Sequence, residues 1–327
     1  EYPLSEPETR AVFTFLLEHP NVGVVQTMDT TVPMLLHGPS TSRMGEAMFP
    51  EDLEIYRHFD EEGKRITGYP NAGDTYWDYA NLGRGDREAR ARAAEMGFEM
   101  PREPQGRPLF GHSPDFGYLA YGAVWYGDEL WNGGRVRDYD GDGRLTDLEG
   151  LRFIDEELGG RYFKPWTKAV HPALGEVEIG GFNPKYWRQN PPVELLEEWI
   201  RKEAMFNLLL AKSLPQVEVV SAEVRPVRRE PGVREIVAVF ANTGFLPTAL
   251  RMAERVKIVR PDEASVRLPE GVALVGGPAR REIGILRGGE RREIRWKVKA
   301  EPGASGEAEV SIRSTRGGVA RASVKVG

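Results

Sequence analysis

Apolar side chains recur every three or four residues in three segments of the chain, which predicts amphipathic helices there. The segments are residues 5–19, 50–62 and 192–213. The first begins at Ser5-Glu6-Pro7-Glu8, which is typical of a capping box with proline in the first turn. Val22–Val25 predicts a short buried strand, and Asp86–Met96, rich in Arg, Ala and Glu, predicts a surface helix.

After residue 216 the pattern changes to short runs of β-branched and aromatic residues separated by Gly and Pro turns. The runs are Val217–Val224, Glu235–Ala241, Val256–Val259 and Ile294–Val298. Regular short strands with little helix are typical of a β-sandwich. We therefore predict two domains, residues 1–215 and 216–327, the second a β-sandwich. A chain of 327 residues is long enough to bury two hydrophobic cores.

Charge divides the chain in the same way. Residues 216–327 hold 21 Lys and Arg against 14 Asp and Glu, whereas residues 1–215 hold 23 against 36. The basic residues of the second region are interspersed with acids and few aromatics, which is typical of a solvated surface and argues against nucleic-acid binding. No apolar run approaches the roughly 18 residues of a membrane span. The absence of cysteine excludes disulfides and thiolate metal sites.

The strongest local motif is the run of residues 138–149, which matches an EF-hand calcium loop. Calcium prefers several oxygen ligands on a sharply turned loop. The predicted ligands are Asp138, Asp140, Asp142, Glu149 and the backbone carbonyl of Arg144. A surface turn that binds no ion is the alternative interpretation. A single loop without a paired partner predicts a structural ion rather than a sensor.

Several stretches in the first region together resemble the zinc carboxypeptidases of the carboxypeptidase A family. They are Ser5–Val22, Leu35–Pro39, Ser113–Tyr118 and Asp128–Trp131. Each motif is only moderately specific, and their order and spacing carry the resemblance. It implies an α/β fold class, with a mixed-sheet carboxypeptidase-like domain over residues 1–215 that is incomplete at its N-terminus, followed by the β-sandwich.

The resemblance also implies roles for two carboxylates. Glu129, fourteen residues after Asp115, takes the place of the general base that accepts a proton from zinc-bound water. From its chemistry alone, a carboxylate paired with an arginine is an equal alternative. Asp29, eight residues beyond Asn21, stands where the family has a zinc-binding histidine. Aspartate can bind zinc, and it can equally mark a site that has lost the metal.

The family's first two zinc ligands, a His-x-x-Glu pair, have no match in the required order. The one such motif, His58–Glu61, follows the ligand strand, and we interpret it as a surface coincidence. We therefore expect an N-terminal segment or a partner chain to complete the domain and its zinc site. A half sheet alone would leave an open edge, which is a site of association.

Two functions follow from these patterns. The first is zinc-dependent, metallocarboxypeptidase-like hydrolysis of a peptide or protein substrate, with Glu129 as the general base. The second is a non-catalytic carboxypeptidase-like scaffold that uses calcium and the sandwich for binding or adhesion. Isolated calcium loops of this type bind weakly, which favours an extracellular or periplasmic location.

Overall fold

The computed structural model describes residues 4–30, 32–81, 105–131, 133–134, 136–142 and 145–326. Its α-helices are α1 Pro7–Glu18, α2 Met44–Ala47, α3 Pro50–Thr67, α4 Ser113–Asp115, α5 Asp147–Leu158, α6 Val193–Lys212 and α7 Arg251–Val256. Tyr79–Asn81 forms a 3-10 turn, and Phe116–Ala120 and Pro184–Gln189 form π-helical turns. None of the described helices is both long enough and apolar enough to cross a bilayer.

Within the described residues the strands form four sheets. Those of the first region are β1 Val24–Thr30, β2 Met34–His37, β3 Asn71–Asp74, β4 Val124–Leu130, β5 Phe163–His171 and β6 Gly175–Phe182. Those of the second region are β7 Val217–Pro226, β8 Val233–Asn242, β9 Asp262–Arg267, β10 Val272–Leu274, β11 Arg280–Gly284, β12 Arg291–Ala300, β13 Gly306–Ser314 and β14 Gly318–Val326.

β4 is the centre of the sheet that carries the candidate site. The strand order is β1-β4-β2-β3, with β4 parallel to β1 and antiparallel to β2. Side chains alternate between the two faces of a strand. Val124 and Tyr126 therefore join the core beneath α3 and α6, whereas Trp125 packs on the other face against Phe13 of α1. Both faces of β4 are covered, which explains its nearly continuous burial.

α3 shows how closely the helices approach this sheet. Pro50 occupies its first turn, and Gly68 ends it in the left-handed conformation at φ 73°. In its middle, a Cβ on Gly63 would lie 2.2 Å from Leu35 of β2 and 2.8 Å from Phe206 of α6. The missing side chain at Gly63 therefore lets α3 lie directly on the sheet.

The second region contains two four-stranded antiparallel sheets, ordered β10-β12-β8-β7 and β11-β9-β13-β14. Alternate residues of both sheets form one buried cluster that includes Ile236, Phe240, Trp296 and Val310. Two sheets facing each other over a shared core have a β-sandwich-like architecture.

Two buried charged side chains connect this region to the first. The Arg316 guanidinium donates to the backbone carbonyls of Pro20, Gly122 and Tyr121. The Asp52 carboxylate of α3 accepts from the backbone N–H groups of Arg251 and Met252 at 2.9 and 3.1 Å. Asp52 thereby provides acceptors for backbone N–H groups in the first turn of α7, which have no partner within that helix. The division at residues 215 and 216 stays a prediction.

The prediction of an α/β fold class, with a carboxypeptidase-like domain, is wrong. Of the ten strand pairings described, eight are antiparallel and only β1–β4 and β2–β3 are parallel. The chain therefore combines helices with mainly antiparallel sheets, of which the sandwich-like pair is the largest part. The periodicity of the sequence predicts strands in the second region. It does not show whether the strands of the first region pair in parallel or antiparallel.

Several local predictions also differ from the structure. No capping box forms at α1, because the N-cap is Glu6 and the Ser5 hydroxyl donates to the Glu6 carboxylate at 3.0 Å. The run Val256–Val259 is not a strand, since α7 extends to Val256 and Lys257 adopts a left-handed conformation. The start of α7 is stabilised by Asp52, a residue distant in sequence that accepts its first backbone N–H groups. The predicted helix Asp86–Met96 lies outside the described residues.

Candidate functional site

The structure brings Asp29 and Glu129 together. They are Cα partners in the parallel pairing of β1 with β4, so their side chains leave the same face of the sheet. One hundred residues separate them in sequence, and only the pairing of the two strands makes them neighbours. The Asp29 carboxylate accepts from the Thr30 backbone N–H at 2.8 Å and remains exposed.

Glu129 is the more buried of the two carboxylates, with 7% of its surface exposed. Burial raises the pKa of Glu129, and the neighbouring charge of Asp29 raises it further. A hydrogen bond from the Val32 backbone N–H acts in the opposite direction. A carboxylate whose pKa is raised by burial and a like charge is a stronger base than an exposed one.

Tyr79 and Arg107 lie within the electrostatic reach of this pair. Burial raises the pKa of Tyr79, and the charges of Glu129 and Asp29 raise it further, while Arg107 lowers it. The Tyr79 phenol therefore stays protonated at neutral pH and can donate a hydrogen bond. The backbone N–H of Arg107 donates to the Tyr76 carbonyl at 2.9 Å, which holds the segment after residue 105 against the Tyr79 turn.

A second polar cluster flanks the same face of the sheet. The Ser40 hydroxyl lies 2.7 Å from Nδ1 of His112, and its backbone N–H donates to the Asp115 carboxylate at 2.7 Å. Nε2 of His112 is 3.7 Å from the position that a Cβ would take on Gly127, two residues before Glu129. Burial lowers the pKa of His112, so a neutral imidazole faces the strand that carries Glu129.

These residues do not by themselves form a zinc site. Catalytic zinc takes three protein ligands in most enzymes. In the part of the chain that the structure describes, no third His, Asp or Glu joins Asp29 and Glu129 in a group close enough to hold a metal. Asp29 alone stands at a position that the resemblance assigns to a zinc ligand, so the donor set does not fit the metal.

The predicted calcium loop brings together three of its carboxylates. Ligand oxygens of Asp138, Asp140 and Glu149 all lie within 4.8 Å of one another. One Glu149 oxygen accepts from the Tyr139 backbone N–H at 2.7 Å and the other from the Thr146 backbone N–H at 2.8 Å. These hydrogen bonds lower the pKa of Glu149 and keep it ionised.

The loop fits calcium because each of these oxygens retains acceptor capacity beyond its internal hydrogen bonds. The Thr146 hydroxyl accepts from the Glu149 backbone N–H at 3.2 Å, which completes a capping box at the start of α5. Asp142 is not part of the compact group of three, and Arg144 lies outside the described residues. The structure thus brings together three of the five predicted ligands.

The sequence carries no signal that would have selected Tyr79 or His112. Tyr79 belongs to the aromatic run Tyr76–Tyr79, whose spacing carries no catalytic signal. Its position depends on the turn that follows β3. No local pattern could have connected either residue to Glu129.

Comparison with protein families gives one match, to a domain of unknown function named DUF8731 over residues 216–325. This match lies in the sandwich region and does not include Asp29, Glu129 or the calcium loop. No curated protein matches the chain.

Among solved structures, the chain is similar to the GAE domain of GGA2p from Saccharomyces cerevisiae, with 12% identity and a TM-score of 0.22, over 32% of this chain and 83% of that one. It is similar to β-glucosidase 3B from Thermotoga neapolitana, with 17% identity and a TM-score of 0.18, over 35% of this chain and 16% of the glucosidase. It is also similar to the secreted serine protease VesC from Vibrio cholerae, with 15% identity and a TM-score of 0.21, over 46% of this chain and 30% of the protease. These TM-scores are too low to support an inference about function.

We predict that Glu129→Gln stabilises the protein at alkaline pH. Because its folded pKa is raised, Glu129 contributes stability that is fully present below the ordinary glutamate value of 4.5 and is lost as the pH rises through the raised value. The neutral amide removes this loss. The melting temperature of the variant should therefore exceed that of the parent near pH 8, and the difference should vanish near pH 4.

The matched control is Glu61→Gln, at an exposed glutamate of α3. It should change the melting temperature little at either pH. A Glu129→Gln protein that melts below the parent near pH 8 would contradict the assignment of Glu129 as a buried base.

Proposed function

We propose that the chain is a peptide hydrolase of the metallocarboxypeptidase type in which Glu129 is the general base. The observation that carries the proposal is the pairing of Glu129 with Asp29 on neighbouring strands, which places a buried carboxylate beside a like charge. The ordered motifs that resemble the carboxypeptidase A family add support for a peptide substrate.

In this proposal Glu129 accepts a proton from water while the water oxygen attacks the peptide carbonyl carbon. The C–N bond then breaks, and the same proton passes from Glu129 to the leaving amine, which yields a carboxylic acid and an amine. The charge of Asp29 favours the step because it raises the proton affinity of Glu129.

Tyr79 is the proposed donor to the oxygen that becomes negative in the transition state. Its phenol stays protonated at neutral pH for the reasons given above, and a placed O–H donor stabilises a developing oxyanion. No step passes through zinc, because Asp29 is the only ligand candidate described.

We predict that Glu129→Gln lowers kcat/KM for release of C-terminal residues from peptides by about 100-fold or more, since it removes the base and keeps the shape. Tyr79→Phe should cost about 10-fold or more. Parent activity should rise with pH as Glu129 ionises. Mass spectrometry of peptide products, with and without added Zn²⁺, provides the measurement.

Glu61→Gln again serves as the control and should retain the parent rate. Equal rates for the parent and Glu129→Gln, or release that is unchanged in the doubly substituted Glu129→Gln and Tyr79→Phe protein, would overturn the proposal.

A second candidate function is a calcium-binding scaffold for binding or adhesion. The observation that favours it is the convergence of the Asp138, Asp140 and Glu149 oxygens within 4.8 Å. When bound, the ion would link the loop after residue 136 to the first turn of α5. Such a loop suits the millimolar calcium of an extracellular or periplasmic location.

We predict that the loop binds Ca²⁺ with a Kd of about 10⁻⁴–10⁻³ M. Terbium, which substitutes for calcium, should show luminescence sensitised by Tyr139 within the loop. Asp140→Asn should weaken this binding by about 10-fold or more because it removes one charged ligand. Titration of the luminescence with terbium, and then displacement by Ca²⁺, measures both affinities.

Asp155→Asn, at an exposed position of α5, is the matched control and should bind as the parent does. Luminescence of equal strength and affinity in the parent and Asp140→Asn would contradict a calcium loop.

A further inference from the structure

Behind Glu129, on the opposite face of β4, lies a group of buried oxygens that lack hydrogen-bond partners. Among the described residues, seven buried side-chain polar atoms have no partner, and five of them belong to this group. They are Gln26 Oε1, the Tyr69 hydroxyl, Asp128 Oδ1 and both carboxylate oxygens of Glu203. Such atoms are rare in folded proteins, and their concentration at one place indicates a missing partner.

The secondary structure explains why these residues meet. Tyr126 and Asp128 lie two positions apart on β4 and share a face, and the Gln26 side-chain amide of β1 donates to the other Asp128 oxygen. On α6, Phe206 packs on Tyr126 with ring centroids 5.3 Å apart. Glu203 lies one helical turn before Phe206, and its charge acts on Asp128.

Tyr69 is the fourth residue of the group. Its ring lies 5.7 Å from that of Trp199, which precedes Glu203 by one turn of α6. The charges of Glu203 and Asp128 both act on the Tyr69 hydroxyl. Four residues from β1, β4, α6 and the loop before β3 therefore lie near one another in the interior.

The carboxylates of this group are buried without a compensating charge. Asp128 is fully buried, and Glu203 has 5% of its surface exposed. In the part of the chain that is described, neither forms an ion pair with Lys or Arg. Lys202, next to Glu203, instead contacts Glu198 at 2.7 Å. Two unpaired carboxylates at this depth carry a large desolvation cost.

The chemistry of the group selects a cation. The Tyr69 hydroxyl is the one donor among these atoms and interacts with Glu203, so the other oxygens, all acceptors, find no donor within the group. Oxygen-only donors from two carboxylates, one amide and one hydroxyl are the ligand type that hard cations prefer. A divalent ion would balance the two negative charges.

We propose that Gln26, Tyr69, Asp128 and Glu203 bind a hard divalent metal cation of the calcium class, at a site separate from the loop at residues 138–149. The bound ion would connect α6 to the centre of the β1-β4 sheet.

The test uses the full chain with Asp140→Asn, which weakens the loop at residues 138–149. Its melting temperature is measured against increasing Ca²⁺ near pH 7.5, where the carboxylates can ionise. We expect a Ca²⁺-dependent increase, and we expect addition of Glu203→Gln to raise the Ca²⁺ concentration at half-effect by about 10-fold or more. Glu198→Gln, on the exposed surface of the same helix, should leave the response unchanged.

Asp128→Asn provides a second variant if Glu203→Gln does not fold, and circular dichroism checks folding. The proposal is overturned if Ca²⁺ does not affect the Asp140→Asn protein. It is also overturned if both carboxylate variants retain the full response. Variants that melt higher than Asp140→Asn with and without Ca²⁺ would show that the carboxyl groups share protons instead of an ion.

Discussion

The position of β4 between β1 and β2 is the constraint on which the rest of this structure depends. Because both faces of β4 are covered, its alternating side chains lie in two different environments. Trp125, Gly127 and Glu129 face the side of α1 and Tyr79, whereas Tyr126 and Asp128 face α3 and α6. A shift of one residue in the β1–β4 pairing would exchange these two sets.

This alternation produces two acidic centres of different character on the two sides of one strand. Glu129 is paired with Asp29 on one side, where the Asp29 side chain is exposed. Asp128 lies near Glu203 in the interior, where both side chains are buried. Adjacent residues of one strand thus receive raised pKa values from separate causes: for Glu129, burial and Asp29, and for Asp128, burial and Glu203.

The sequence allowed much of the local structure to be predicted, and less of how it assembles. The helices at 50–62 and 192–213 are present because their apolar faces repeat over several turns. Glu129 and Asp29 were selected through a family resemblance, but their contact depends on a strand pairing that no local pattern encodes. The fold class was wrong for the same reason: strand direction, as in the antiparallel hairpin of β5 and β6, is a property of distant pairing. The Asp128–Glu203 group carries no motif and became visible only in three dimensions.

The central claim is that the Asp29–Glu129 pair makes Glu129 an unusually strong base. The most direct measurement is the titration of the Glu129 carboxyl carbon by NMR in the parent protein and in Asp29→Asn. The account predicts a pKa above the ordinary value of 4.5 in the parent and a lower pKa in the variant. A pKa at or below 4.5 in the parent, unchanged by Asp29→Asn, would contradict it.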